Sequence, residues 1–212
     1  MRDRRTGRDM EAGRRPSWTV RDLVGLAALS VVSGLVFAVW SHLVAPVALG
    51  LGGHLGVAAI YGVWYIGGTL PAYVLRRRWA AFVGETIGAI VELLLVSPYS
   101  VLLYYYGPAQ GIMSEAAFAL RRYRKWGYGT MALAGALPVI AAYPFDCLVS
   151  PFYPRCRFYP VELHASIVVA MVVSGALLGG VLVKAVVDAL VAAGRLKGWP
   201  VAQAEVVQGK AG

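Results

Sequence analysis

Apolar residues fall into six long runs, at 20–45, 52–75, 79–97, 99–120, 128–149 and 161–193. Short segments rich in arginine, lysine, glycine or proline separate them. An α-helix needs about 20 such residues to cross the roughly 30 Å hydrocarbon core of a bilayer. The pattern predicts an all-α integral membrane protein, a bundle of six transmembrane helices in one domain spanning 20–193. Pro46 is expected to close the first span, and Ser97-Pro98 the third, because proline has no backbone donor. The sixth run is longer than a bilayer requires and should tilt or protrude. Residues 1–19 are polar and arginine-rich, so they predict a disordered tail. A second tail is expected over 194–212. The first run lacks the short apolar core and A-x-A-like cleavage site of a signal peptide, and reads as a retained span.

Charge orients the bundle. Of the 20 lysines and arginines, 18 lie in the segment through Arg21, at 76–78, at 121–125, and from Lys184 onward. With alternating spans all of these share one side, which the positive-inside rule assigns to the cytoplasm together with both termini. Arg155 and Arg157 alone fall on the other side. The formal net charge of +9 therefore reflects topology and contact with anionic lipid, not nucleic-acid binding. At 58% hydrophobic, the chain leaves no room for a separate soluble catalytic domain. There is no GxxxxGK[ST] phosphate loop, no HExxH and no GxSxG. Neither ATP hydrolysis by that route nor those hydrolytic chemistries is predicted: the chain reads as a non-enzyme with no cofactor and no metal.

Polar residues inside the spans are the candidate chemistry. A carboxylate near the bilayer centre costs roughly 2.5–3.5 kcal/mol on insertion scales, yet spans three and four hold Glu85, Glu92, Gln110 and Glu115. Glu85 and Glu92 are seven residues apart and project from nearly one helix face, about 10 Å apart. Gly84 and Gly88 on that helix allow a neighbour to approach closely. In span four, Tyr104-Tyr105-Tyr106-Gly107-Pro108-Ala109-Gln110 places an amide beyond a proline expected to kink the helix. Span two carries Tyr61 and Trp64 near mid-depth, where an interfacial belt does not account for them. Carboxylates facing aromatic rings suit a small polar or cationic molecule. Each glutamate is equally open to a helix–helix hydrogen-bonding role, and Glu115 to pairing with Arg121 or Arg122. Ser30, Gly34 and Ala38 form a small-residue stripe on span one, and Gly175 and Gly179 another on span six. Either stripe could seat a helix of this chain or dock another subunit. His42, His54 and His164 sit near span ends and read as interfacial. Cys147 and Cys156 match no zinc or CxxC pattern. On the predicted outer side they are either a disulfide or two unpaired thiols.

The segments "AAIYGVWYIGG", "GETIGAIVELLLVSPYS" and "GPAQGIMSEAAFALRRYRKWG", in that order, resemble the YkoE-type S component of energy-coupling-factor (ECF) vitamin transporters. The resemblance is clearest over roughly 58–127. It implies a six-helix substrate-capture subunit for thiamine or its hydroxymethylpyrimidine moiety. Such a subunit works with a transmembrane coupling (T) subunit and two ATPases, in keeping with the missing ATP site. It also implies substrate contacts from Tyr61, Trp64, Glu85, Glu92, Tyr104, Gln110 and Glu115, and coupling-subunit docking through Ser30, Gly34 and Ala38. Two other classes stay open. One is a self-sufficient cation or proton-coupled permease using Glu85 and Glu92 as a relay. The other is a structural membrane protein whose glutamates only lock helices.

Overall fold

The computed structural model describes residues 18–203. The basic tail expected before residue 18 and the end of the chain from residue 204 lie outside the described residues. Every regular element among the described residues is helical. Helix α1 starts at Val20, where Thr19 and Asp22 cap it reciprocally: Asp22 accepts from the Thr19 amide at 2.9 Å, and Thr19 Oγ1 from the Asp22 amide at 3.2 Å. Such a box satisfies two donors that a helix start leaves open. Asp22 also pairs with Arg77 at 2.9 Å, tying this start to the connection after the second helix.

The first span does not stop at Pro46. Helix Val20–Val39 widens into a π-helical turn, Trp40–Val44, and continues into Ala45–Ile60. Pro46 falls at the start of that last segment, just beyond the widened turn. The reversal comes at Gly53, with φ 57° and ψ −145°. The returning chain passes so close that a Cβ on Gly56 would lie 2.3 Å from the Ala48 carbonyl oxygen. The apolar stretch Val20–Leu75 therefore folds into two crossings with no polar loop between them. The second, α2, runs from Gly53 through a 3-10 turn at Tyr61–Tyr65 into Ile66–Leu75.

Helix α3 is Ala80–Leu94, α4 is Leu103–Leu120, α5 comprises Tyr128–Ala136 and Val139–Leu148, and α6 comprises Val161–Ser174, the π-helical Gly175–Leu182 and Val183–Ala192. By length and composition, the stretches Val20–Leu75, Tyr128–Leu148 and Val161–Ala192 can cross a membrane. Helix α3 ends earlier than its apolar run suggests. Its 15 residues span roughly 22 Å at about 1.5 Å each, less than the hydrocarbon thickness. The chain beyond Leu94 turns irregular, and Val96 takes a left-handed φ of 60°.

Small residues seat the helices. A Cβ on Gly62 would lie 2.1 Å from the Ser174 carbonyl oxygen, and one on Gly135 2.1 Å from that of Gly175, so α2, α5 and α6 meet backbone to backbone. The stripe on α1 faces inward as well. Ser30, Gly34 and Ala38 are buried, and a Cβ on Gly34 would meet Val91 at 2.5 Å and the Gly88 carbonyl at 2.6 Å. This stripe seats α3 within the chain. Two larger apolar cores result, with a smaller third cluster of Ala89, Leu103 and Tyr106. One, at the end carrying the termini, includes Tyr73, Leu75, Phe118 and Met131. There Trp199 packs on Gly25 and takes the Arg21 guanidinium over its ring at 4.8 Å, so the chain after α6 folds back onto α1. The other core lies toward the opposite end and includes Phe37, Tyr61, Trp64, Tyr65 and Ile167.

Candidate functional site

A cavity opens within that second core. Its wall is built by five of the six helices and two connections. Helix α3 supplies Glu85, Ala89 and Glu92 from one face; α4 supplies Leu103, Tyr106 and Gln110; α1 supplies Phe37. Helix α5 supplies Asp146, and the connections after α3 and α5 supply Tyr99 and Tyr153. The 3-10 turn explains the contribution of α2. In that tighter helix residues three apart eclipse one another, so Tyr61 and Trp64 both reach the wall, with ring centroids 5.2 Å apart and edge to face.

Both glutamates are 1% exposed, and they are held differently. Glu92 Oε1 accepts from Ser41 Oγ at 2.6 Å and from Ser97 Oγ at 2.8 Å. Trp64 Nε1 donates to Ser41 Oγ at 3.0 Å. The short α3 brings Ser97 within reach, and the widened turn of α1 carries Ser41. Glu85 lacks such a cradle. Its Oε2 is buried with no hydrogen-bond partner among the described residues, beside the small-residue pair Gly67 and Gly68 of α2. A buried acceptor without a donor is uncommon in folded proteins and needs a reason. Gln110 lies in the same wall.

Asp146 is the third carboxylate. Tyr61 donates to its Oδ2 at 2.9 Å, and Tyr106 to its Oδ1. This residue joins α2, α4 and α5 at the cavity and went unrecognised in the sequence, although an aspartate inside span five carries the same signal as the glutamates. Tyr106, and not its neighbour Tyr104, lines the cavity. Tyr104 is 66% exposed and points away from the bundle interior. Tyr106, four residues before Gln110, shares the inward face of α4, as the helical repeat requires.

Glu115 stands apart from the cavity. It accepts from the backbone amides of Trp79 at 2.7 Å, Ala81 at 2.9 Å and Phe82 at 3.3 Å, and from Tyr123 Oη at 2.6 Å. It thus caps the N-terminus of α3, satisfying donors that a helix start leaves open, and does not take Arg121 or Arg122 as its partner in these bonds. Of the seven substrate-contact candidates, the structure brings Tyr61, Trp64, Glu85, Glu92 and Gln110 together and leaves Tyr104 and Glu115 outside.

The wall holds three carboxylates and no lysine, arginine or histidine. Its remaining surface is largely aromatic, and Trp64 meets Tyr99 edge to face at 5.7 Å. Among the described residues one group of three metal-type ligands converges, Cys147, Cys156 and His164. It lies outside the cavity wall, and its two sulfurs are bonded to each other. A second hollow, between α1, α2 and α6, is lined by apolar side chains such as Val36, Leu178 and Leu182.

The family model for the permease component of ABC-type cobalt transport systems matches residues 21–141. A Bacillus subtilis (strain 168) protein named as a candidate HMP/thiamine permease, YkoE, is 34% identical over 182 residues, covering 86% of this chain and 89% of the relative. Among solved structures, an S component of an ECF transporter superposes with a TM-score of 0.84 at 32% identity, covering 92% of this chain and 96% of that one.

Proposed function

We propose, for a chain that belongs to the YkoE-type family of S components of ECF transporters, that its cavity captures thiamine or the hydroxymethylpyrimidine moiety of thiamine. The observation that carries this reading is the donor and acceptor set of the wall. Glu85 Oε2 lacks a donor, and an aminopyrimidine edge offers an amino group. The Gln110 amide can donate to a ring nitrogen beside it. Tyr61, Trp64 and Tyr99 provide faces for a flat heterocycle, and with Glu92 and Asp146 they suit the permanent positive charge of a thiazolium ring. The name of the relative points the same way. A bare metal ion fits less well. The three carboxylates do not converge as a ligand group among the described residues, and the wall is aromatic.

The chain is an integral membrane protein. In this reading both termini face the cytoplasm, and the cavity, nearer the opposite end, loads from outside. A transmembrane coupling subunit and two ATPase subunits would supply the energy, and the chain itself performs no chemistry on the ligand. Calorimetry of the purified protein with thiamine, hydroxymethylpyrimidine and cobalt(II) tests the assignment. Saturable binding of at least one of the two organic ligands is expected. Binding of cobalt alone would overturn it. Uptake into vesicles that lack the ATPase subunits would favour the self-sufficient permease.

A further inference from the structure

The connection between α5 and α6 does two things at once. It supplies Tyr153 to the cavity wall, and it is covalently tied. Tyr153, 6% exposed, forms part of the wall and lies flat on the His54 ring, with centroids 3.6 Å apart and planes 9° from parallel. Its neighbour Phe152 meets Tyr99, a wall residue from the other connection, at 5.0 Å. These ring contacts pack the roof, and apolar stacking of this kind can part and re-form. One bond in the segment cannot: the disulfide from Cys147 to Cys156. Cys147 adjoins Asp146, which holds Tyr61 and Tyr106, and Cys156 is wholly buried three residues beyond Tyr153.

We propose that the Cys147–Cys156 disulfide is a redox-sensitive latch that holds the 150–159 connection closed over the cavity and sets how fast ligand enters and leaves. The inference rests on the reading of the cavity as a capture site. A nine-residue separation makes the tie local, and it confines Tyr153 without bracing the bundle. The two helices have a separate bond at this end, between the Tyr143 hydroxyl and His164 Nδ1, so α5 and α6 stay together when the latch opens. Reduction by a dithiol adds two electrons and two protons to the Cys147–Cys156 bond. Two thiols form, and the dithiol becomes its own disulfide. The segment then keeps its stacking and its local hydrogen bonds, such as the Phe152 amide on Ser150 Oγ at 3.3 Å and the Cys156 amide on the Tyr153 carbonyl at 2.9 Å. Tyr153 is free to swing off His54, and the roof opens.

The full-length protein in lipid nanodiscs provides the test, with the thiol state verified by peptide mass mapping. Thiamine dissociation is followed by tryptophan fluorescence, and hydrogen exchange of 150–159 is followed in parallel. Reduction is expected to speed dissociation by about tenfold or more, most of the change lying in the off-rate, and to raise exchange in 150–159. Cys147→Ser and Cys156→Ser should each behave as the reduced protein whether or not reductant is present. An unchanged dissociation rate in protein verified as reduced would overturn the proposal, as would free thiols in protein prepared without reductant. If the oxidised protein bound neither thiamine nor hydroxymethylpyrimidine, the capture reading would fail, and hydrogen exchange alone would then decide the latch. Unchanged exchange on reduction would sink it.

Discussion

Ser41 donates a 2.6 Å hydrogen bond to Glu92 across 51 positions of sequence. The bond exists because α1 widens at Trp40–Val44 and α3 stops short at Leu94. It holds a carboxylate in the cavity wall with Ser97 as second donor and Trp64 behind Ser41. Glu92→Gln keeps the size of the side chain and removes its charge. The expected result is a loss of at least tenfold in thiamine affinity, about 1.4 kcal/mol, read by calorimetry on folded protein. Unchanged affinity would give Glu92 a purely structural role.

Asp146 makes a different prediction because its two oxygens already accept from Tyr61 and Tyr106. In Asp146→Asn one of those acceptors becomes an NH₂ group facing a hydroxyl. Leaving a buried polar group unsatisfied costs about 1–3 kcal/mol. The variant is expected to melt earlier in detergent and to bind thiamine more weakly than the protein with Asp146. Tyr61→Phe, which removes one donor and keeps the charge, should lose stability but less affinity. Equal affinity losses in both variants would mean that the charge of Asp146 does not reach the ligand.

Glu115→Ala separates capping from binding. Four donors lose their acceptor, and a lost N-cap alone is worth about 0.5–2 kcal/mol. A lower unfolding temperature is expected, with thiamine affinity in the folded fraction changed by less than about threefold. A large affinity loss without loss of stability would return Glu115 to the substrate contacts.

The spans and two glutamates were legible because they depend on local quantities. Run length sets a crossing, and a seven-residue spacing sets a helix face whatever surrounds it. Glu115 shows the limit. Its charge suggested the nearest arginines, whereas it meets amides more than 30 positions away. The stripe Ser30, Gly34 and Ala38 shows another: small residues announce close approach but not of which helix, and here the neighbour is α3. Tyr106 and Asp146 were readable by the same helical repeat and the same cost of burial that picked out Gln110 and Glu85. The break between the first two runs was readable from Pro46 and the glycines after it, but the helical continuation through Pro46 to the reversal at Gly53 was not.

Gly34→Leu follows from that packing. Its side chain would have to occupy space where Val91 Cβ and the Gly88 carbonyl already lie within 2.6 Å of the Cβ position. Overpacking of this kind costs about 1–3 kcal/mol or more. The variant is expected to lose folded yield and thiamine binding together, measured by size-exclusion profile and calorimetry. A well-folded variant that binds ligand but fails to co-purify with a coupling subunit would show instead that α1 can release α3 to a partner.

Charge selectivity tests the cavity as a whole. Glu85, Glu92 and Asp146 line it with no cationic side chain among them, and the low dielectric of a buried site strengthens every charge–charge interaction. A permanent cation therefore gains attraction that a neutral pyrimidine alcohol of similar shape does not. Thiamine is expected to bind at least tenfold more tightly than hydroxymethylpyrimidine at pH 7.5, about 1.4 kcal/mol. The sign of the pH dependence follows. Protonating any of the three removes negative charge from the wall, so thiamine affinity should fall as pH falls from 8 to 5.5. A protonated carboxyl can donate to a ring nitrogen, so hydroxymethylpyrimidine should bind equally well or better at the acid end, with proton uptake on binding. Calorimetry of both ligands in buffers of different ionisation enthalpy measures affinity and proton linkage together. Equal affinities for the two at every pH would mean that the carboxylates read the pyrimidine edge alone and that the thiazolium charge plays no part in recognition.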